Sequence, residues 1–464
     1  MALIHIAPLF VNTPMAAESE TAYGGKAVVY TWGTTGRVPC LGHSKVDAEG
    51  VAPFPVAVAI GRRWATAEPI GVAAGENASA CVLADGALLV WGAGRGGRLG
   101  LGHTDDVPRP TRVEAWEGAD SWRDVVVSTV AIGQAHMVAA GVRAEDGTKV
   151  AYAWGKGLHG ALGAGSTDDA CTPRLVRTRD GEVLQGVIQV CAGYAASMAV
   201  TEAGELFTWG YGQHGKTGHG SNEDEMYAKR VEGLAGEEVV SAAMGTLCAG
   251  AVTADGGCYT WGYGKYGNLG LGSRTSFSLP QRVEAPVGMT KLALTVCQIN
   301  PKASGRGGVR GQEGPHALAV GADGAAYSWG TCHKGMLGNV RGKILAAPYD
   351  ELRPYRIGSC CRDEPGGEGS GYLADEEVID VAASSIHSAL LTASGRVFTF
   401  GCASGGRMGV AQYMTGLHGG RSRMKCYISA PTAIEAFDDA GVHVLAMGTS
   451  RRHMIALGCP RVDA

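Results

Sequence analysis

Seven times along this chain a short apolar run ends in an aromatic residue followed by glycine, and no other feature restricts the fold so tightly. The copies are "AVVYTWG" to residue 33, "ALLVWG" to 92, "VAYAWG" to 155, "ELFTWG" to 210, "GCYTWG" to 262, "AAYSWG" to 330 and "RVFTFG" to 401. Their aromatic residues are Trp32, Trp91, Trp154, Trp209, Trp261, Trp329 and Phe400. Spacings run from 52 residues (Gly210 to Gly262) to 71 (Gly330 to Gly401), the regime of stacked or radial repeat units. Upstream of every copy except the first lies a small-residue turn and a second apolar strand, as in "AIGQAHMVAAG" and "AMGTLCAGAVTADG". Each unit therefore reads as short antiparallel strands, with "ADG" hairpins whose glycine accepts positive φ at no steric cost.

The loops after these steps imitate a cofactor motif. Gly262, Gly264 and Gly267 in "WGYGKYGNLGLGS" fit G-x-G-x-x-G, the dinucleotide fingerprint. That motif needs a helix N-terminus after its last glycine to hold a pyrophosphate, and glycines at 270 and 272 argue against one. "WGAGRGGRLGLG", "WGKGLHGALGAG" and "WGYGQHGKTGHG" match the same string. Four cradles behind four tryptophans point to a structural repeat. Glycine makes up 73 of 464 residues, about 16% against a usual ~7%; its fixed places beside tryptophan indicate turns rather than low complexity.

The two ends are complementary. The first copy has its Trp-Gly strand without the upstream strand, while "VHVLAMGTSRRHMIALG" near the end has the upstream strand without a Trp-Gly partner. Joining them completes a seventh unit and leaves no free sheet edge, as a closed β-propeller requires. The expected fold is all-β, a seven-bladed β-propeller over 25–464 closed by a shared blade, behind a tail at 1–24.

Net charge is −4, which argues against a dominant electrostatic grip on nucleic acid. No apolar run is long enough to span a membrane, and "MALIHIAPLFV" lacks the basic start of a signal peptide. The thirteen cysteines contain no C-x-x-C pair, so they indicate a reducing, intracellular setting, cytoplasmic (a cytoskeletal or ciliary assembly included) or nuclear. Vicinal Cys360 and Cys361, and the pair Cys332 and His333, are the thiol features that stand out. No catalytic, cofactor or metal set emerges. His136, His316, His387 and His453 occupy one motif position in different units. They are expected around a ring, each bonded to its own blade's turn, rather than gathered as bases or ligands.

The repeat resembles the regulator of chromosome condensation (RCC1) family, whose units read "A-x-G-x-x-H-x-x-A-L-x-x-x-G-x-x-x-x-W-G-x-x-x-x-G-x-L-G-x-G". The resemblance covers about residues 25–460 and implies the same closed propeller. It also implies a choice of roles: nucleotide exchange on the small GTPase Ran, photoreception, ubiquitin-ligase modules or scaffolds. Exchange in that family uses a wedge in an early loop and acidic turn residues. Here the early loops are short, and the turns carry Glu76, Gln134, Tyr194 and Thr246, of which only Glu76 is acidic. Photoreceptor members resemble a "G-W-R-H-T" pattern with tryptophan in that turn, and none stands there in this chain.

Departures from the repeat individualise the protein. Insertions at about 298–315, 339–377 and 402–431 fall in the last two complete units, so they are expected on one side of the ring. Long loops on a rigid scaffold commonly carry recognition. Candidate partner-binding residues are Arg306, Arg310, Arg407, Tyr413, Arg421, Arg423 and Lys425. The resulting expectation is a non-enzymatic protein–protein interaction scaffold within a larger assembly. Exchange on a Ran-like GTPase and a chromatin-associated module through Arg421, Arg423 and Lys425 are the alternatives.

Overall fold

The computed structural model describes residues 26–35, 38–47, 50–61, 67–114, 121–296, 314–339, 349–358, 373, 376–410 and 427–461. Their strands form seven four-stranded antiparallel sheets. Six are continuous in sequence. Blade one begins at Pro69–Ala74, blade two at Val125–Ile132 and blade three at Val187–Ala192; blades four, five and six begin at Val239–Met244, Met289–Leu294 and Val378–Ala383. These first strands touch one another in succession, and the circle is completed through Val442–Thr449, so they line the centre of a ring.

The seventh, closing blade is shared between the chain's ends, in the order Val51–Ala57, Val28–Thr34, His453–Pro460, Val442–Thr449. Its central ladder runs from Val28 opposite Gly458 to Gly33 opposite His453. The expected seam thus exists, and it hides the edges that an open ring would expose.

Why these residues make blades is visible at the Trp-Gly step. The tryptophans and Phe400 are fully buried, 0% exposed. Each indole fills the interface with the preceding blade, and five of the six donate their N–H to a loop carbonyl there: Trp91 to Cys40 at 2.9 Å, Trp209 to Ala161 at 2.9 Å, Trp261 to Lys216 at 2.9 Å, Trp329 to Asn268 at 3.0 Å and Trp32 to Arg407 at 3.1 Å. Trp154 Nε1 meets no acceptor among the described residues. Phe400 has no such donor. Ser388 donates to Met336 O at 2.8 Å, as Ser79 and Ser197 do to the Cys40 and Ala161 carbonyls beside their tryptophans.

The glycine of the step takes φ of +113° at Gly92, and a Cβ there would lie 2.3 Å from Asn77 O. The turn can approach only because no side chain intervenes. After Gly267, φ is again positive at Gly270 and Gly272, and the loop continues as turns and bends, with no helix to hold a pyrophosphate.

Strand alternation assigns the loops to two faces. The His-bearing turns (first to second strand) and the Trp-Gly loops (third to fourth) share one face, while the "ADG" hairpins share the other. The strand ends at Leu294 and His316, Cys332 and Tyr349, and Cys402 and Tyr427 lie at the first face, and those at Arg356 and Val378 at the second.

Candidate interaction face

The four repeat histidines sit 0–1% exposed, one per blade interface. Each reaches the next blade. His136 Nε2 lies 2.9 Å from Ser197 Oγ, His316 Nε2 2.8 Å from Ser388 Oγ, His387 Nε2 2.6 Å from Thr449 Oγ1 and His453 Nε2 2.7 Å from Ser79 Oγ. Three also bond their own turn through Nδ1, at Thr295, Ser384 and Ser450. The expected own-turn bond is therefore found in three, and the inter-blade partner is additional. Burial pushes their pKa values down, to about 3 for His136 and His453, to about 4 for His316 and well below the usual range for His387. They are neutral struts spread around the ring, with no shared substrate atom between them.

A second series complements them. One position in each Trp-Gly loop points into the same interface, and it holds Arg98, Ala161, Lys216, Asn268, Met336, Arg407 and Cys40 in turn. Where the second strand starts with histidine at His136, His316 or His453, the loop residue is Ala161, Met336 or Cys40. Where it starts with Ala78, Ala196 or Cys248, the loop supplies Arg98, Lys216 or Asn268. Arg98 Nη1 donates to Gln134 O of the next blade at 3.0 Å. Lys216, 1% exposed, donates to Tyr194 O at 2.5 Å and to Thr246 O of the next blade at 3.2 Å. Blade six carries both His387 and Arg407, and there the histidine turns to Thr449 instead of a serine.

Above Lys216 the loops of blades two to four build an aromatic shelf. His159 lies 4.2 Å from Tyr211 between ring centres, Tyr194 5.9 Å from Tyr211, His214 4.5 Å from Tyr263 and Tyr263 5.9 Å from Tyr266. The Lys216 ammonium sits 4.9 Å from the Tyr211 ring. All six rings are half-buried, and Leu158 beside them is 51% exposed. His159 and His214 hold φ of +61° and +65°, where blades one and six place Gly96 and Gly405. A non-glycine residue there costs about 1 kcal/mol, and such strain concentrates at functional surfaces. The shelf escaped the sequence reading. Its signal was the imidazole in "LHG" and "QHG" where the left-handed position favours glycine.

Acidic side chains border the shelf. Asp169 and Asp224 accept the Gly157 and Gly212 amides at 3.1 and 2.9 Å, and Asp224 also meets His159 Nδ1 at 2.6 Å across the blade boundary. Their neighbours Asp168 and Glu223 are exposed and make no ion pair with the described residues.

Of the residues expected at a partner surface, Arg306, Arg310, Tyr413, Arg421, Arg423 and Lys425 lie outside the described residues, as do Cys360 and Cys361. Arg407 is described, and it points inward. It is 7% exposed, with Nη1 3.1 Å from Ser404 Oγ and 3.6 Å from Cys402 Sγ, so it braces its loop from within rather than presenting charge at the rim. Cys332 is buried and donates to Asn339 Oδ1 at 3.8 Å. Glu76 is engaged by Arg452 at 4.0 Å. At the channel mouth Glu76, Gln134, Ser384, Ser450 and Arg451 help enclose about 50 Å³, room for a few waters and well below the ~300 Å³ of a small-ligand pocket. Among the described residues no three His, Cys, Asp or Glu side chains gather as a metal site, and no helix is long and apolar enough to cross a membrane.

Comparison with known proteins decides the family. The regulator of chromosome condensation (RCC1) repeat model matches residues 85–140, 150–200, 203–252 and 255–299, and a second RCC1 repeat model matches 187–216. The chain belongs to the RCC1 repeat family. The Arabidopsis thaliana ultraviolet-B receptor UVR8 is 30% identical over 339 residues, covering 73% of this chain and 66% of that protein. The human E3 ubiquitin-protein ligase HERC2 is 33% identical over 316 residues, covering 66% of this chain but only 6% of HERC2. This RCC1-repeat chain therefore spans just under two thirds of the first relative's length and a small part of the second's. Among solved structures, human WBSCR16 superposes with a TM-score of 0.71 at 19% identity, covering 94% of this chain and all of WBSCR16. Prp20p of Saccharomyces cerevisiae gives 0.70 at 18%, covering 95% and 94%. Those two show a shared RCC1-type propeller.

Proposed function

We propose that this RCC1-repeat chain is a non-catalytic interaction propeller that docks into a larger intracellular assembly through its Trp-Gly loop face. One observation carries the reading: six half-buried tyrosine and histidine rings converge on that face across blades two to four, whereas the repeat histidines are consumed inside the blade interfaces. Tyrosine offers large contact area at low entropic cost and is enriched where partners bind. The tail at 1–24 and the basic residues Arg306, Arg310, Arg421, Arg423 and Lys425 are proposed as further contacts.

Cross-linking of the tagged chain in its native extract tests this. The expected result is a defined partner set that is lost when Tyr211→Leu and Tyr263→Leu are combined or the 402–431 loop is shortened. A chain that runs alone, indifferent to those changes, overturns it. Nucleotide release from a Ran-type GTPase is the decisive contrast: acceleration by about 10³-fold, roughly 4 kcal/mol of barrier, would replace docking with exchange.

A further inference from the structure

We propose that the shelf over blades two to four receives an arginine-bearing, basic segment of a partner protein, the guanidinium packing against the tyrosine rings and pairing with Asp168 and Glu223. This rests on the docking reading above and adds the partner's chemistry.

Three features of the face select that occupant. Its rings are tyrosine and histidine rather than leucine or phenylalanine, and a tyrosine face attracts a cation through its quadrupole. Beneath the rings Lys216 is covered by Tyr194 and Tyr211 and engaged by Tyr194 O and Thr246 O, so it adds no exposed charge. Lys156 is paired with Asp169, and the exposed Lys265 stands at the blade-four end, away from Asp168 and Glu223. His214 is held below its ordinary pKa by burial and by Lys216, which keeps its ring uncharged at neutral pH. The outer loops of blades two and three add carboxylates in matching places. In each, the second acidic residue (Asp169, Asp224) caps a glycine amide, while the first (Asp168, Glu223) stands exposed beside it. Blade four, at the shelf's far end, has Thr275 and Ser276 instead, with Ser276 taking the cap on Gly264 at 3.0 Å. Blade one repeats the pair, with Asp106 capping the Gly94 amide at 3.0 Å beside exposed Asp105. The exposed negative charge thus runs along the rim from blade one through blade three, past His159 and Tyr211, and stops before blade four. Arginine fits better than lysine because its planar fork stacks on a ring while holding a carboxylate bidentately.

The test uses the full chain and three fluorescein-labelled heptapeptides that alternate glycine with arginine, lysine or glutamate, followed by anisotropy across a salt series. The expected order is arginine over lysine by about tenfold, in keeping with the stacking advantage of guanidinium, with no binding of the glutamate peptide. Tyr263→Leu combined with Tyr211→Leu should remove the arginine preference while leaving the melting temperature close to wild type. Asp168→Asn with Glu223→Gln should weaken both basic peptides and flatten their salt dependence. Glu145→Gln, on the opposite face, should change nothing. Equal affinity for arginine and lysine peptides that ignores the tyrosine variants overturns the proposal, as does preference for the glutamate peptide. A dimer in light scattering that Tyr263→Leu dissolves also overturns it, because the occupant is then a second copy. If native cross-links are lost in the tyrosine variants while no arginine preference exists, docking stands and the partner chemistry assigned here fails.

Discussion

His453 Nε2 lies 2.7 Å from Ser79 Oγ, a bond that ties the last strand of the closing blade to the first complete blade. Ser79 Oγ in turn donates to Cys40 O at 2.9 Å, so one hydroxyl joins three segments from both ends of the chain. Ser79→Ala strands a buried imidazole nitrogen. It should lower stability by about 1–3 kcal/mol, the penalty for an unsatisfied buried partner. Chemical denaturation measures this, and Ser197→Ala, which breaks the same pattern at blade three, should cost a similar amount.

The buried histidines fix the sign of the pH dependence. Their folded pKa values lie below that of the unfolded chain, near 6.5 for histidine, so the unfolded state binds protons first as pH falls. Stability contributed by the neutral rings is complete above about pH 6.5 and is lost towards pH 4, at up to about 1.4 kcal/mol per pH unit for each ring. Urea midpoints across that window should drop steeply, and His136→Gln should reduce the slope.

Two glycines separate steric closeness from backbone preference. At Gly92 a Cβ would meet Asn77 O and Ala78 Cα at 2.3 and 2.7 Å; at Gly181, also at positive φ, nothing lies within 4 Å. Gly181→Ala should cost about 1 kcal/mol, the left-handed penalty alone, whereas Gly92→Ala adds a backbone collision and should exceed about 3 kcal/mol. Thermal melts of the two variants check the difference.

Removing residues 442–464 deletes both C-terminal strands of the closing blade and bares Val28–Thr34 as an edge. The expected outcome is loss of the cooperative unfolding transition together with concentration-dependent aggregation, read by circular dichroism melts and sedimentation. A truncated chain that unfolds as sharply as the full one would mean that the ring needs no seam.

The fold was legible because the same aromatic-glycine strand ending recurs seven times at blade length and the two ends lack opposite halves. The interface chemistry was less so. His136 and its partner Ser197 are 61 positions apart, and only the placing of successive blades side by side brings them together. Arg407 read as a surface cation because a basic loop follows it. Aligned with Lys216 and Arg98 in their own loops, it occupies the position that points into the ring. The shelf was hidden for a similar reason. Tyr211 and Tyr263 are single residues in two glycine loops about one blade apart, and no local window contains both.

The shared seam has a consequence during synthesis. Val28–Thr34 emerges early, yet its partner His453–Pro460 is translated more than 400 residues later. At about 5–20 residues per second the first strand waits on the order of 20–80 s for its hydrogen-bond partner. Over that interval the nascent ring is an open arc whose unpaired strand edge is exposed to association with other chains.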